Sequence, residues 1–132
     1  MQLDQDLITS IKDAVHKNMT EQLQFTQKMI QFGGQRGEEA AVQDEMLSQY
    51  SKRGYDTKKI DMDESVLSKQ PAAGKFSPQH SKGPVVIGVH EPGSSTPGGK
   101  SLLLNGHVDI VPVGPQDLWK HSPYSGDIED GW

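Results

Sequence analysis

Leu7, Ile8, Ile11, Ala14 and Val15 fall at i, i+1, i+4, i+7 and i+8, a spacing that puts all five on one helical face. A second register runs through Leu23, Met29 and Ile30, with Thr20 or Asn18 as its boundary residue. The two segments read as one bent helix or two consecutive ones. Gly33, Gly34 and Gly37 then break the pattern. A further helix is expected with Val42, Met46, Leu47 and Tyr50 on one side, ended by Gly54 in the left-handed conformation that favours glycine. Helical structure is thus expected over about residues 5–53.

Residues 55–62 read as a strand of mixed polarity, centred on 55–60. Residues 63–84 show no period and are punctuated by Pro71, Gly74, Pro78 and Gly83, as in a surface excursion. The apolar run Val85–Val89, between Pro84 and Pro92, is expected to be a buried strand. Residues 91–100 are rich in turn formers and suggest a long hairpin loop. Residues 101–106 carry Leu102, Leu103 and Leu104 in succession, which predicts a strand buried on both faces, in the middle of a layered α/β sheet.

A chain of 132 residues has room for one domain, and its 33% of hydrophobic residues allow only a modest core. The net charge of -5 leaves no basic face for a phosphate backbone, so a nucleic-acid partner is not expected. The absence of cysteine excludes disulfides and thiolate metal sites. No basic region followed by an apolar stretch opens the chain, and no apolar run approaches a membrane span. A soluble cytoplasmic protein without membrane attachment is the expectation.

The chemistry concentrates where the leucine run ends, at Gly106, His107, Val108 and Asp109. On an extended backbone, residues two apart point the same way and lie roughly 6–7 Å apart, so His107 and Asp109 can face one cavity. A metal-bound imidazole normally donates its other N–H to a carboxylate, which fixes the tautomer and raises basicity. Asp109 suits that role, and Gly106 leaves room for a close approach of backbone or ligand. Two residues alone leave the reading open, because a histidine at a strand end is also a common hydrogen-bonded structural residue.

The wider string runs from Leu102 through Asn105, Gly106, His107, Val108, Asp109, Ile110, Val111 and Pro112. Trp119 follows, then Pro123-Tyr124, Gly126-Asp127 and Asp130-Gly131. Across 102–131 this order resembles the first signature of the zinc-dependent aminoacylase and carboxypeptidase family, the acetylornithine deacetylase and succinyl-diaminopimelate desuccinylase type. The resemblance implies an α/β fold, the N-terminal part of a mixed-sheet metallo-aminopeptidase-like catalytic domain, incomplete at the C-terminus and without the lid or dimerisation domain. It implies His107 as the first metal ligand and Asp109 as the catalytic-site acid that orients it. The implied cofactor is zinc, two ions per complete site, with cobalt as a substitute. The implied substrate is a small N-acyl amino acid or peptide-like amide, and a homodimer is one arrangement of the parent enzyme.

Two departures are minor: Ile110 stands where the family usually has threonine or valine, and its Pro-Ser step is not evident in 31–37. The third is larger. In the family, the Asp-Gly turn leads into a Tyr-Gly-Arg-Gly segment, a metal-bridging aspartate, paired glutamates and a distant histidine, none of which follows here. The expectation is an inactive fragment of such a hydrolase, and the alternative is a non-catalytic interaction module derived from one. The other candidates read as bland. His16 is a solvated helix residue, His80 and His121 are surface loop residues, and His90 is a loop-edge residue. Asp61, Asp63 and Glu64 lack the pattern of a calcium loop and read as a solvated strand exit. The pairs Gly33-Gly34 and Gly98-Gly99 read as turns.

Overall fold

A computed structural model describes residues 4–75, 83–91, 93 and 100–131 of the chain. His80, Pro78, Pro92 and Gly98-Gly99 lie outside the described residues, as does most of the turn-rich stretch 91–100. The chain divides into two compact units, Gly34–Pro112 on one hand and Met1–Gly33 with Val113–Trp132 on the other.

The second of these units is built on helices α1 (Gln5–Lys17) and α2 (Met19–Gln31). Asp4 caps α1, its carboxylate accepting from the backbone N–H of Asp6 at 2.9 Å and of Leu7 at 3.4 Å. That satisfies two of the N–H groups every helix start leaves without an intrahelical partner. Asn18 separates the helices, so the apolar pattern belongs to two consecutive helices rather than one. Its side-chain amide donates to the Ala14 carbonyl at 2.8 Å, closing α1, and no side-chain cap bond is made to α2. Neither helix contains a fully buried residue. The glutamines of α2 hold the C-terminal stretch: Gln27 Nε2 donates to the Gly126 carbonyl at 2.7 Å and Gln31 Nε2 to the Ser125 carbonyl at 3.1 Å. Gly126 has φ 65°, and a Cβ there would lie 3.0 Å from the Gln27 carbonyl oxygen.

In the unit Gly34–Pro112, helix α3 (Ala40–Lys52) packs on one face of an antiparallel pair, β1 (Asp56–Ile60) and β2 (Val85–Val89), in the register Asp56↔Val89 to Ile60↔Val85. α3 stops in a Schellman arrangement around Gly54 at φ 76°. The Tyr55 N–H donates back to the Tyr50 carbonyl at 3.1 Å and the Gly54 N–H to Ser51 at 2.9 Å. The apolar contact that accompanies this motif is a stack of Tyr50 on Tyr55, ring centres 5.9 Å apart. Gly88 of β2 lies beneath both rings, and a Cβ there would be 2.8 Å from Tyr50. Val42 is buried in this unit, with 4% exposure.

Three expectations are corrected here. β2 is not a buried strand. α3 covers one face only, so Val85, Ile87 and Val89 stay 39–46% exposed. Residues 101–106 form no strand, and Leu102, Leu103 and Leu104 are 82–89% exposed rather than buried on both faces. A strand exists through its ladder, and β1 and β2 pair with each other while no described strand pairs with 101–106. The sheet among the described residues is therefore two-stranded, helices plus a small antiparallel pair, compatible with the α/β class. Within 63–84 a single helical turn, α4 (Glu64–Leu67), replaces part of the structureless excursion. Asp63 is its cap, accepting from the Ser65 hydroxyl at 2.6 Å and the Ser65 N–H at 2.9 Å. These bonds hold its carboxyl below the ordinary range. No helix among the described residues is long and apolar enough to cross a membrane.

Candidate functional site

The glycine turn before α3 positions the segment 107–110. Gly34 has φ 63° and its carbonyl accepts from the Ile110 N–H at 3.1 Å, forming with Gln35 and Ile110 an isolated parallel bridge. A Cβ on Gly34 would lie 3.2 Å from the Val108 carbonyl oxygen and 3.6 Å from Val42 Cγ1. Only glycine permits both the left-handed backbone and this approach. Glu39, 3% exposed at the start of α3, accepts from the Gly37 N–H at 2.9 Å and braces the same turn. The motif therefore hangs on a turn, not on a sheet edge.

Gly106, expected to be the point of close approach, has no neighbour within 4 Å of its would-be Cβ. That role belongs to Gly34, because the chain crosses the turn at Val108 and not at Gly106.

His107 and Asp109 are brought together. Nδ1 of His107 lies 3.1 Å from Asp109 Oδ1 and 3.0 Å from the Asp109 carbonyl oxygen. In the tautomer that donates from Nδ1, the lone pair is on Nε2. The imidazole is 83% exposed and the Asp109 side chain 35%. The other carboxylate oxygen, Oδ2, stands 3.8 Å from Arg36 Nη2. Arg36 escaped the sequence reading, since nothing in its neighbourhood marks it and only the 35–110 bridge carries it to the motif.

These residues fit one ligand position with a supporting acid behind it, not a whole metal site. Among the described residues, no group of three or more His, Asp or Glu is arranged to hold a metal ion. A catalytic zinc takes about three protein ligands and an open position.

His16 is exposed on α1. The His90 ring lies 5.4 Å from Tyr55, tilted by 52°, an edge contact on the aromatic stack. His121 is 45% exposed but firmly held, Nδ1 at 3.2 Å from Asp127 Oδ2 and Nε2 at 3.1 Å from Glu129 Oε2. Lys120 Nζ donates to Glu129 Oε1 at 2.7 Å. That ammonium, and then His121, keep the Glu129 carboxyl below its ordinary range. The cluster borders a cleft of about 560 Å³ whose lining includes Ile30, Trp119 and Pro123. Trp119 is tied down by its indole N–H, which donates to the Val113 carbonyl at 2.9 Å. With both ring nitrogens against carboxylates, His121 acts as a clamp on its loop. The signal for this clamp was the alternate spacing of Asp127 and Glu129.

No family model matches the chain. Part of it is similar to succinyl-diaminopimelate desuccinylases. That of Methylobacterium sp. (strain 4-46) is 52% identical over 33 residues, 25% of this chain and 8% of the relative. That of Cereibacter sphaeroides (strain ATCC 17029 / ATH 2.4.9) is 54% identical over 33 residues, again 25% of this chain and 9% of the relative. That of Hahella chejuensis (strain KCTC 2396) is 40% identical over 30 residues. The chain thus spans 8–9% of the length of these curated relatives. A quarter of it is linked to a region of a hydrolase family.

Proposed function

We propose that this chain carries the first-ligand part of a metal-dependent amidohydrolase of the deacetylase and desuccinylase type, cleaving the amide bond of N-acyl amino acids or small peptide-like substrates. The observation that carries this reading is the 52–54% identity to desuccinylases over 33 residues. The His107–Asp109 pair at 3.1 Å is compatible with it. On this reading His107 would hold one of two zinc ions, while Asp109 would accept from Nδ1–H and keep the ring in the ligating tautomer. Such a metal would lower the pKa of a bound water and polarise the scissile carbonyl. Arg36 steadies the far oxygen of Asp109, so the carboxylate is held from both sides. The 132-residue chain alone is then inactive, because one imidazole does not hold zinc in a defined open geometry.

The test is a chimera in which residues 102–131 replace the corresponding stretch of the Methylobacterium desuccinylase. Retained metal and turnover of N-succinyl substrate is the expected result. His107→Ala in that chimera abolishes metal at one position, and Asp109→Asn lowers affinity or activity by about 10–100-fold. Variants indistinguishable from the chimera overturn the assignment. The competing reading, a non-catalytic interaction module, draws on the 82–89% exposure of Leu102, Leu103 and Leu104. A chimera that folds but holds no metal favours that module.

A further inference from the structure

Two asparagines occur in the chain, Asn18 and Asn105, and they stand in opposite circumstances. Asn18 lies between α1 and α2 with φ -97° and ψ 5°, its side-chain amide donating to the Ala14 carbonyl at 2.8 Å. The residue after it, Met19, is the first of α2. Asn105 is exposed, lies in no helix or strand, and is followed by Gly106. Among the described residues, neither the Asn105 side chain nor the Gly106 N–H makes a hydrogen bond. A Cβ placed on Gly106 would have nothing within 4 Å, so no neighbour stands in the way of rotation about the 105–106 backbone. Glycine adds to this the widest conformational range of any residue.

We propose that Asn105-Gly106 is a site of spontaneous covalent modification, deamidation through a cyclic imide, with water as the co-reactant. The Gly106 amide nitrogen, having lost its proton to hydroxide, attacks Asn105 Cγ. A bond forms between that nitrogen and Cγ, the Cγ–Nδ2 bond breaks, and the side-chain nitrogen leaves as ammonia. Water then opens the ring at either of its two carbonyl carbons. Cleavage between the nitrogen and Cγ yields aspartate at 105. Cleavage between the nitrogen and the main-chain carbonyl carbon yields isoaspartate. Nothing is oxidised or reduced.

Attack requires the Gly106 nitrogen to reach the side-chain carbon of its neighbour, a conformation that a helix or a paired strand holds out of reach. A ladder bond would also occupy the Gly106 N–H that must lose its proton. Residues 101–106 pair with no described strand, so neither protection operates. Asn18 has both: helix on either side, a tethered amide, and a successor whose Cβ crowds the nitrogen. The product adds one negative charge to a chain of formal charge -5, two residues before His107. The iso form also lengthens the backbone there by one carbon. The inference uses the surroundings of 105–106 alone and is independent of the hydrolase reading.

The test incubates the full 132-residue chain at mildly alkaline pH. A more acidic species, resolved by ion exchange, accumulates at a rate proportional to hydroxide concentration. Peptide mapping by mass spectrometry finds the amide-to-acid mass gain at Asn105, as aspartate and isoaspartate, and leaves Asn18 intact. Isomerisation at Asp130-Gly131 changes neither mass nor charge and is thereby kept apart. Gly106→Ala slows the conversion roughly tenfold, the equivalent of about 1.4 kcal/mol in the barrier, because its Cβ crowds the attacking nitrogen. Asn105→Gln, whose ring would be larger by one atom, suppresses it. Repeating the incubation in urea reads the structural part of the claim, and native and unfolded chains convert at similar rates at Asn105. A native rate roughly tenfold or more below the unfolded one would mean that 105–106 is held, and overturns the proposal. So does conversion at Asn18 as fast as at Asn105, or a rate indifferent to Gly106→Ala.

Discussion

Replacing Gly34 with alanine tests how residues 107–110 are held, and the structure supplies the magnitude. At φ 63° a Cβ enters the left-handed region, at a cost of about 1–2 kcal/mol. The new methyl would also sit 3.2 Å from the Val108 carbonyl oxygen, a backbone atom that cannot swing aside as a long side chain can. Overpacking of this kind costs about 1–3 kcal/mol. Backing away from Val108 would instead stretch the 3.1 Å bond from the Ile110 N–H to the Gly34 carbonyl. A stiffer unfolded chain returns about 0.4–1 kcal/mol, leaving a net loss of about 2–3 kcal/mol.

Two other glycines separate these contributions. Gly37 has φ 97° and open space around it, so Gly37→Ala isolates the backbone cost, about 1 kcal/mol. Gly74 has neither a positive φ nor a neighbour within 4 Å, so Gly74→Ala should be neutral or slightly stabilising. Urea unfolding followed by near-ultraviolet circular dichroism of Tyr50 and Tyr55 reports this unit. The expected order of loss is Gly34, then Gly37, then Gly74. The same Gly34 variant should shift the His107 ring resonances, since Val108 adjoins His107, while Gly74→Ala leaves them in place. If Gly34→Ala proves no more costly than Gly37→Ala, the approach of Val108 to the turn is not what holds the motif.

Gly126→Ala should cost about 2–3 kcal/mol in the other unit, read by Trp119 fluorescence, because its Cβ meets the Gln27 backbone at 3.0–3.2 Å and its φ is 65°. A neutral substitution would refute the anchoring of this stretch on α2. Lys120→Met should raise the titration of Glu129 toward the ordinary carboxylate range in a ¹³C NMR titration. Because the folded value is depressed, Glu129 contributes stability that is full above the unfolded carboxylate pKa and lost as pH falls through the folded one. The variant should therefore lose part of that acid-range pH dependence, and an unchanged titration would count against the Lys120 contact. Leu103→Lys should lower the tendency of the chain to self-associate, measured by sedimentation against the unsubstituted chain, since Leu103 is 89% exposed in an unpaired apolar run. It should change folding stability by no more than about 0.5 kcal/mol, as for other surface substitutions.

Spacing and local stops are written along the chain itself. Leu7, Ile11 and Val15 share a face because a helix repeats every 3.6 residues, and α1 lies over them. Gly54 ends α3 because glycine alone enters the left-handed conformation without strain, and the tyrosines on either side stack as that turn brings them together. The pairing of His107 with Asp109 is equally local, set by residues two apart. Burial and partnership are not local. Three leucines in a row look like a central strand, yet a strand is made by its neighbours, and β1 and β2 pair with each other instead. Arg36 reaches Asp109, and Gly34 replaces Gly106 as the point of close approach, through a single parallel bridge between distant segments. The amino-acid order determines which conformations each short stretch prefers. Which backbone groups find partners, and hence which apolar residues leave water, is decided only when distant stretches meet.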